Sequence, residues 1–281
     1  IYTSMDQLYV EIEICTNKDE TEIFTTVPSF MAIYVYSFLR QNSTAPKVKL
    51  CFVRTKVPLS EGKLKLNTES LRHELEERII LKEAATKQTE AIKDLRLPVY
   101  AKESRTYIAG MCAVCRELLL RHGNAEQRKL LGFKESCLLA PSEASIWTRF
   151  CEVDGVKALS RLLYADQVGT TIEEVPLEVS RFERHMNEPV RMHNIYKLAR
   201  EKANTNNNSE EQKGKGKKKG KIQINCSTPK EELAIEHTFA EGIAFTIADL
   251  ILYPCMRLIF HHCSGMLQYF PLINTWLSEV S

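Results

Sequence analysis

The N-terminal part of the chain alternates apolar and polar positions in a way that predicts a sheet with a helix packed on it. Apolar residues occupy every second position over 8–14, which is typical of a half-buried strand. A polar loop follows. The dense apolar stretch at 30–39 then predicts a helix, and Pro28 fits its first turn, where proline is tolerated. Alternation returns over 48–53 and predicts a second strand, which gives the order β-α-β.

The next segment changes composition and then returns to strand-like patterns. Residues 61–95 are charged and periodic, which predicts a solvated helix with Ile79 on its apolar side. Residues 97–100 predict a short strand that opens on a proline, and residues 102–105 fit a hairpin turn. A further helix is expected over 109–121.

Beyond residue 123 the apolar positions follow helical spacing, and no strand pattern of any length is found. Residues 203–229 interrupt this spacing with a polar run that has too few large apolar side chains to offset its chain entropy, so a disordered insert is expected there. Residues 243–260 have the apolar character of a membrane span, but Asp249 and Arg257 within them favour a buried core helix.

Thr246 and Asp249 have the spacing of a capping box at the start of this apolar helix. In such a box the Thr246 hydroxyl accepts from the backbone N–H of Asp249, and the Asp249 carboxylate accepts from the N–H of Thr246. Phe245 and Leu250 occupy the positions of a hydrophobic staple. Both capping residues are therefore expected to have a structural role.

The surroundings of this box resemble the C-terminal helical domain of glutathione S-transferases. In that superfamily a Gly-x-x-x-Thr/Ser-x-x-Asp pattern caps the central buried helix, and a proline-containing turn leads to a helix with tryptophan. The matching positions are Gly242, Thr246, Asp249, Pro271 and Trp276.

Longer strings narrow the resemblance to one family. Residues 131–137, 145–149, 151–152 and 188–194, and a polar insert before 239–242, are similar to glutathione S-transferase C-terminal domain-containing proteins. The resemblance implies a thioredoxin-like α/β domain over 1–122, followed by an all-α glutathione S-transferase C-terminal-like bundle over 123–281. It also implies a methyltransferase-like domain in longer members of the family.

Glutathione S-transferases activate the thiol of glutathione with a hydroxyl or thiol placed just after the first strand. By this resemblance the catalytic candidates are Cys15, Thr26 and Ser29. Ordinary loop and capping roles are the alternative interpretation for all three residues, and that interpretation is favoured.

Two further elements of the resemblance concern the binding of glutathione. Pro98 matches the cis-proline whose backbone pairs with the cysteinyl part of the tripeptide. Ala109 and Gly110 stand where the superfamily has Glu/Gln-Ser, which holds the γ-glutamyl carboxylate. Losing that hydroxyl removes a charge-assisted hydrogen bond worth about 1.5–3 kcal/mol. Glutathione binding is therefore expected to be weak or absent, and no cofactor is predicted.

The nine cysteines mostly lie in apolar runs, which predicts reduced, buried thiols and a cytoplasmic protein. Cys112 and Cys115 have Cys-x-x-Cys spacing, but they fall inside a predicted helix, so packing is favoured over a redox or zinc role. A denser cluster of Cys and His at 255–263 is too close along one helix end to converge on one ion. No metal site is predicted.

The formal net charge is only +2, although residues 213–221 contain six lysines. The rest of the chain is slightly acidic, which excludes a broadly basic nucleic-acid surface. A solvated linker is one interpretation of the tract, and weak contact with RNA or an acidic protein is the other. Its lysines are Lys213, Lys215, Lys217, Lys218, Lys219 and Lys221.

Together these observations predict a non-catalytic glutathione S-transferase-like module without a membrane segment. Its expected partner is another protein or a downstream domain of its own chain. An active glutathione transferase and an RNA-associated accessory domain are the alternatives.

Overall fold

The computed structural model describes most of both predicted halves of the chain. The residues it describes are 5–17, 20–41, 48–54, 62–66, 79–81, 91–132, 135, 137–138, 144–169, 174–191, 195–197, 199–200, 233, 235–263 and 265–281. The insert predicted at 203–229, with its lysine tract, lies outside them.

The described residues form one seven-stranded mixed sheet, followed by a helical region. The strands are β1 (Asp6–Asn17), β2 (Glu20–Thr25), β3 (Val48–Arg54), β4 (Leu64–Lys65), β5 (Ile79–Leu81), β6 (Val99–Ala101) and β7 (Tyr107–Ala109). The α-helices are α1 (Val27–Gln41), α2 (Met111–His122), α3 (Ala125–Arg128), α4 (Ala144–Arg149), α5 (Val156–Gln167), α6 (Leu177–Met186), α7 (Ile247–His262) and α8 (Pro271–Val280).

Strand β1 organises the sheet because it pairs with three other strands. Its first half runs parallel to β3, from Asp6 opposite Val48 to Ile12 opposite Arg54. On its other edge β1 pairs antiparallel with β6, which in turn pairs antiparallel with β7. The strands predicted over 8–14 and 48–53, the helix between them, and the strand and hairpin turn around 97–105 are confirmed.

The polar loop predicted before Pro28 is wrong, because this segment forms β2. It pairs antiparallel with the second half of β1, from Ile12 opposite Thr25 to Asn17 opposite Glu20. Ile23 and Thr25 are both buried, but threonine does not register as an apolar position in the sequence pattern. The buried side of β2 therefore lacks the alternating apolar pattern that would have predicted a strand.

The helix predicted across 61–95 is also wrong at two places. Residues 64–65 form β4 beside β2, and Ile79, expected on a helical face, begins β5, which runs parallel to β3. The sequence Ile-Ile-Leu of β5 is rich in β-branched residues and suits a strand once a partner edge is available. Residues 67–78 lie outside the described part of the chain.

The main hydrophobic core is continuous from the sheet into the helical region. Leu8, Val10 and Ile12 of β1 are fully buried in the same cluster as Trp276 of α8. The opposite face of β1 was expected to be polar, but Tyr9 is buried there against Leu97, Val99 and other apolar residues. The sheet is therefore covered on both faces at its centre.

Helix α7 lies within the core of the helical region, and eleven of its sixteen residues are buried. Outside the seven strands, the described residues after β7 show only an isolated bridge between Phe239 and Gly242. Among the helices that the structure describes, none combines the length and the hydrophobicity needed to cross a bilayer.

Candidate functional site

Two hydroxyls around the start of α1 are held by the backbone of β1. Ser29 Oγ accepts a hydrogen bond from the Glu11 N–H at 3.0 Å, and Thr25 Oγ1 donates to the Glu11 carbonyl at 2.6 Å. Both side chains are fully buried. The Ser29 hydroxyl is therefore engaged in joining α1 to the sheet.

The other two catalytic candidates lie in different surroundings. Cys15 is half-buried within the β1–β2 hairpin, opposite Glu22, and its Sγ is 3.8 Å from Glu13 Oε1. Thr26 immediately precedes α1, and its Oγ1 is buried without a hydrogen-bond partner among the described residues. The hairpin thus places Cys15 on a strand instead of at the start of α1.

The elements expected to hold glutathione lie at the start of β6 and of α2. The Leu97–Pro98 peptide bond is cis, and both residues are buried. Ala109 ends β7, and Gly110 has φ +101° just before the first residue of α2. This backbone conformation is one that glycine adopts far more readily than other residues.

The N-terminus of α2 is occupied by a carboxylate from the helical region. Glu152 accepts hydrogen bonds from the Met111 N–H to Oε1 at 3.0 Å and from the Cys112 N–H to Oε2 at 3.3 Å. The first N–H groups of a helix have no partner within the helix and carry partial positive charge, so a carboxylate is favoured there. Gly110 has no Cβ, and one added there would lie 2.8 Å from Glu152 Oε1.

Glu152 reaches α2 from a π-helical segment, Phe150–Gly155, between α4 and α5. Such a segment inserts an extra residue into a helix and changes the direction of its side chains, and it is frequent at functional sites. Cys112 Sγ, beside Met111 on α2, also lies 3.8 Å from the Thr148 carbonyl of α4. The start of α2 is therefore bound to the helical region at several points.

Glu152 also lines a cleft of about 590 Å³ between the sheet domain and α5. This volume is in the range of small-molecule sites in proteins. The remaining lining residues are Arg96, Val153, Val156, Lys157, Ser160, Arg161 and Tyr164.

The Asp249 carboxylate is fully buried and accepts four hydrogen bonds. Oδ1 accepts from the Ala240 N–H at 2.7 Å and from Trp276 Nε1 at 2.8 Å. Oδ2 accepts from the Thr246 N–H at 2.9 Å and from Thr246 Oγ1 at 3.2 Å, within a capping box at the start of α7. Burial raises the pKa of Asp249, while the four donors oppose that shift.

Comparison with known proteins places the chain in a family. No family model matches it, and no solved structure does. The "Glutathione S-transferase C-terminal domain-containing protein homolog" of Drosophila pseudoobscura is 58% identical over 277 residues, which are 98% of this chain and 45% of that relative. The chain belongs to the glutathione S-transferase C-terminal domain-containing protein family.

More distant relatives in this family match the same extent of the chain. The mouse protein is 27% identical over 326 residues and the human protein 29% identical over 331 residues. These matches cover 98% and 99% of this chain, and 49% and 50% of the relatives. This family member thus spans about half the length of the curated relatives it matches.

The thiols of this family member that were considered for redox or zinc chemistry are buried. Burial raises the pKa of Cys115, and it raises that of Cys255 to about 12. Thiols with raised pKa remain protonated and are poor nucleophiles. Within the described residues, no three Cys, His, Asp or Glu side chains are grouped so that they could hold a metal ion.

The surroundings of His237, in the helical region of this family member, disfavour the protonated form of its ring. Its Nδ1 lies 3.2 Å from the Phe239 carbonyl, and its ring is 4.6 Å from that of His185. Burial lowers the pKa of His237 below the ordinary value of a histidine, and the neighbouring His185 lowers it further. The folded state therefore binds this proton less readily than the unfolded chain does.

We expect His237 to make the folded state less stable in mild acid. Its contribution is complete above the unfolded pKa of about 6.5 and is lost as the pH falls below it. In urea titrations between about pH 7.5 and 5.5, the free energy of unfolding of His237→Gln should therefore vary less with pH than that of the parent chain. His261→Gln, at an exposed histidine of α7, is the control and should keep the parent slope. Equal slopes for His237→Gln and the parent would contradict this expectation.

Glu152 is a candidate site residue of this family member whose contact with α2 was not predicted from the sequence. It occurs in one of many helical stretches with mixed charge, and its partners Met111 and Cys112 are about forty positions earlier in the chain. The positive φ of Gly110 was likewise invisible. Gly110, a glycine in the first turn of the helix predicted over 109–121, is the one sequence feature that could have pointed to a close approach at this place.

Proposed function

We propose that this chain is a non-catalytic glutathione S-transferase-like module that binds a protein segment. The first candidate for that segment is the remaining half of the longer family members, for which the resemblance implies a methyltransferase-like domain. Two observations support the proposal. The elements fit a transferase-type scaffold, and the places where that scaffold would bind glutathione are occupied by contacts within the chain itself.

The scaffold supports a thioredoxin-like assignment of residues 1–122. The strands β3, β1, β6 and β7 are neighbours in that order, with β1 and β3 parallel and the other two pairs antiparallel. Helix α1 joins the two parallel strands, and α2 follows β7. The described helices after residue 122, with α7 in the core, support a transferase-like bundle over 123–281.

The observation that carries the proposal is the Glu152 carboxylate on the first N–H groups of α2. The resemblance puts the γ-glutamyl carboxylate of glutathione at this helix end. A ligand carboxylate would have to displace Glu152, and it would find Gly110 where the superfamily supplies a hydroxyl. Ser29 is also fully buried, with its Oγ joined to the Glu11 N–H, so two elements of a transferase site are closed to a substrate.

Isothermal titration with glutathione tests this proposal. We expect no binding to the parent chain at millimolar glutathione. Glu152→Ala exposes the two N–H groups and should allow weak binding of glutathione or of a simple carboxylate such as acetate. Glu188→Ala, at an exposed glutamate outside the cleft, is the matched control and should behave as the parent. Micromolar glutathione binding to the parent chain would refute the proposal.

One observation favours an active transferase as the second candidate function. Thr26 Oγ1 is buried at the start of α1 without a partner among the described residues, as a thiolate-stabilising hydroxyl awaiting its ligand would be. A conjugation assay with glutathione and a model electrophile distinguishes the two candidates. Turnover above background that is lost in Thr26→Ala but retained in Thr26→Ser would establish the enzyme.

A further inference from the structure

The cleft lined by Glu152 contains more positive charge than the slightly acidic composition of the chain outside residues 213–221 would suggest. Three cationic side chains line it, Arg96 from the segment before β6 and Lys157 and Arg161 from α5. Neither Arg96 nor Lys157 forms an ion pair with a described residue. Arg161 Nη1 is 3.9 Å from Glu178 Oε1, a distance at which the arginine retains donors for another anion.

Two acidic groups lie near these cations. Glu152 accepts the two backbone hydrogen bonds of α2, which offset its charge. Glu178 of α6 is 3.9 Å from Arg161 and is not part of the cleft lining. The cleft therefore has a net attraction for anions.

Helix α5 presents two adjacent stripes to this cleft. Lys157 and Arg161 are four residues apart and lie on one side of the helix face. Val156, Ser160 and Tyr164 follow the same spacing and form the neighbouring stripe. Tyr164 is 52% exposed, so much of its ring is open to a ligand.

The exposed Tyr164 ring beside a cationic stripe suits a ligand that has both a planar aromatic part and an anionic part. Aromatic side chains stack on planar bases, and arginine and lysine bind phosphate oxygens. Val153, 51% exposed, adds apolar surface on the same wall. A volume of about 590 Å³ accommodates a molecule of the size of a nucleotide.

We propose that the cleft between Arg96 and α5 binds a nucleoside phosphate, with its base on Tyr164 and its phosphates on Arg96, Lys157 and Arg161. The nucleotide is either free or part of an RNA strand. Ser160, in the same stripe as Tyr164, supplies a hydroxyl that can bond to the sugar or a phosphate. This site goes beyond the proposed function and does not depend on it.

Isothermal titration of the full chain with adenosine diphosphate tests the site. We expect adenosine diphosphate to bind more tightly than adenosine or pyrophosphate, because each of these retains only one of the two contacts. Raising the salt concentration should weaken binding, since partly exposed charges are screened. A short single-stranded oligoadenylate is titrated in parallel. If the strand binds more tightly than adenosine diphosphate, the source is RNA, and if it binds less tightly, the source is the free nucleotide.

Substitutions in the cleft test the phosphate contacts and the base contact separately. Arg96→Gln and Lys157→Gln should each weaken the binding of adenosine diphosphate about three- to tenfold. Tyr164→Ala should weaken adenosine diphosphate but leave pyrophosphate unchanged, and Tyr164→Phe should restore the parent affinity. Lys129→Gln, at an exposed lysine outside the cleft, is the matched control.

Two results would overturn the assignment. One is the absence of adenosine diphosphate binding at millimolar concentration, and the other is binding that Arg96→Gln, Lys157→Gln and Tyr164→Ala leave unchanged. Glutathione is titrated in the same series. Glutathione binding would refute the proposed function, whereas failure of the nucleotide alone would refute only this inference.

Discussion

Replacing Asp249 with alanine is expected to lower the free energy of unfolding by about 3–5 kcal/mol. The substitution leaves the N–H groups of Ala240 and Thr246 and the Nε1–H of Trp276 without their acceptor in a fully buried place. Each unsatisfied buried donor carries a desolvation cost of about 1–3 kcal/mol, although such costs are not additive. The same substitution also removes the cap of α7, a helix that lies in the core.

Urea unfolding followed by far-UV circular dichroism measures this loss. Asp166→Ala, at an exposed aspartate near the end of α5, is the matched control and should lie within about 0.5 kcal/mol of the parent. If Asp249→Ala does not fold, Asp249→Asn retains one carbonyl oxygen and should show a smaller loss. A free energy of unfolding for Asp249→Ala equal to that of the control would show that the network does not stabilise the fold.

Gly110→Ala is expected to lower the free energy of unfolding by about 2–4 kcal/mol. Residues with a side chain are strained at the φ of Gly110, +101°, which costs about 1–3 kcal/mol. In addition, the new Cβ would lie 2.8 Å from Glu152 Oε1, so the carboxylate must withdraw from α2. Losing this cap adds about 1 kcal/mol to the strain.

Gly169→Ala is the comparison that separates backbone strain from the clash of the new Cβ with Glu152. Gly169 also has a positive φ, +70°, but no atom of the described residues lies within 4 Å of an added Cβ. Its substitution should therefore cost only the strain, about 1 kcal/mol. In a double-mutant cycle, Gly110→Ala should cost less in a Glu152→Ala background than in the parent chain. Additive effects of the two substitutions would mean that Gly110 and Glu152 are not coupled.

The sequence predicted those parts of the fold whose physical causes are local. The alternation of β1, the capping box of Thr246 and Asp249 and the turn before β7 each depend on residues within a few positions of one another. The buried tryptophan of α8 was found as part of a motif. Its bond to Asp249 was not predicted, because it joins positions that only the packing of α7 and α8 brings together.

The features that the sequence did not reveal depend on distant partners. Strand β5 forms because the edge of β3 is available, and an isolated Ile-Ile-Leu does not indicate which strand it will join. Strand β2 was not predicted because Thr25, a polar residue, lies on its buried side, where its hydroxyl donates to the Glu11 carbonyl. Glu152 could be recognised only after the helical region had been placed against the sheet.

The apolar cluster that runs from Leu8 in β1 to Trp276 in α8 determines how the chain can be divided. A cut after residue 122 would divide this cluster, because Leu118 and Leu119 of α2 lie before the cut and Trp276 lies after it. It would also remove the Glu152 carboxylate from the start of the same helix. We therefore expect neither fragment to retain a complete interior when the chain is divided at this position.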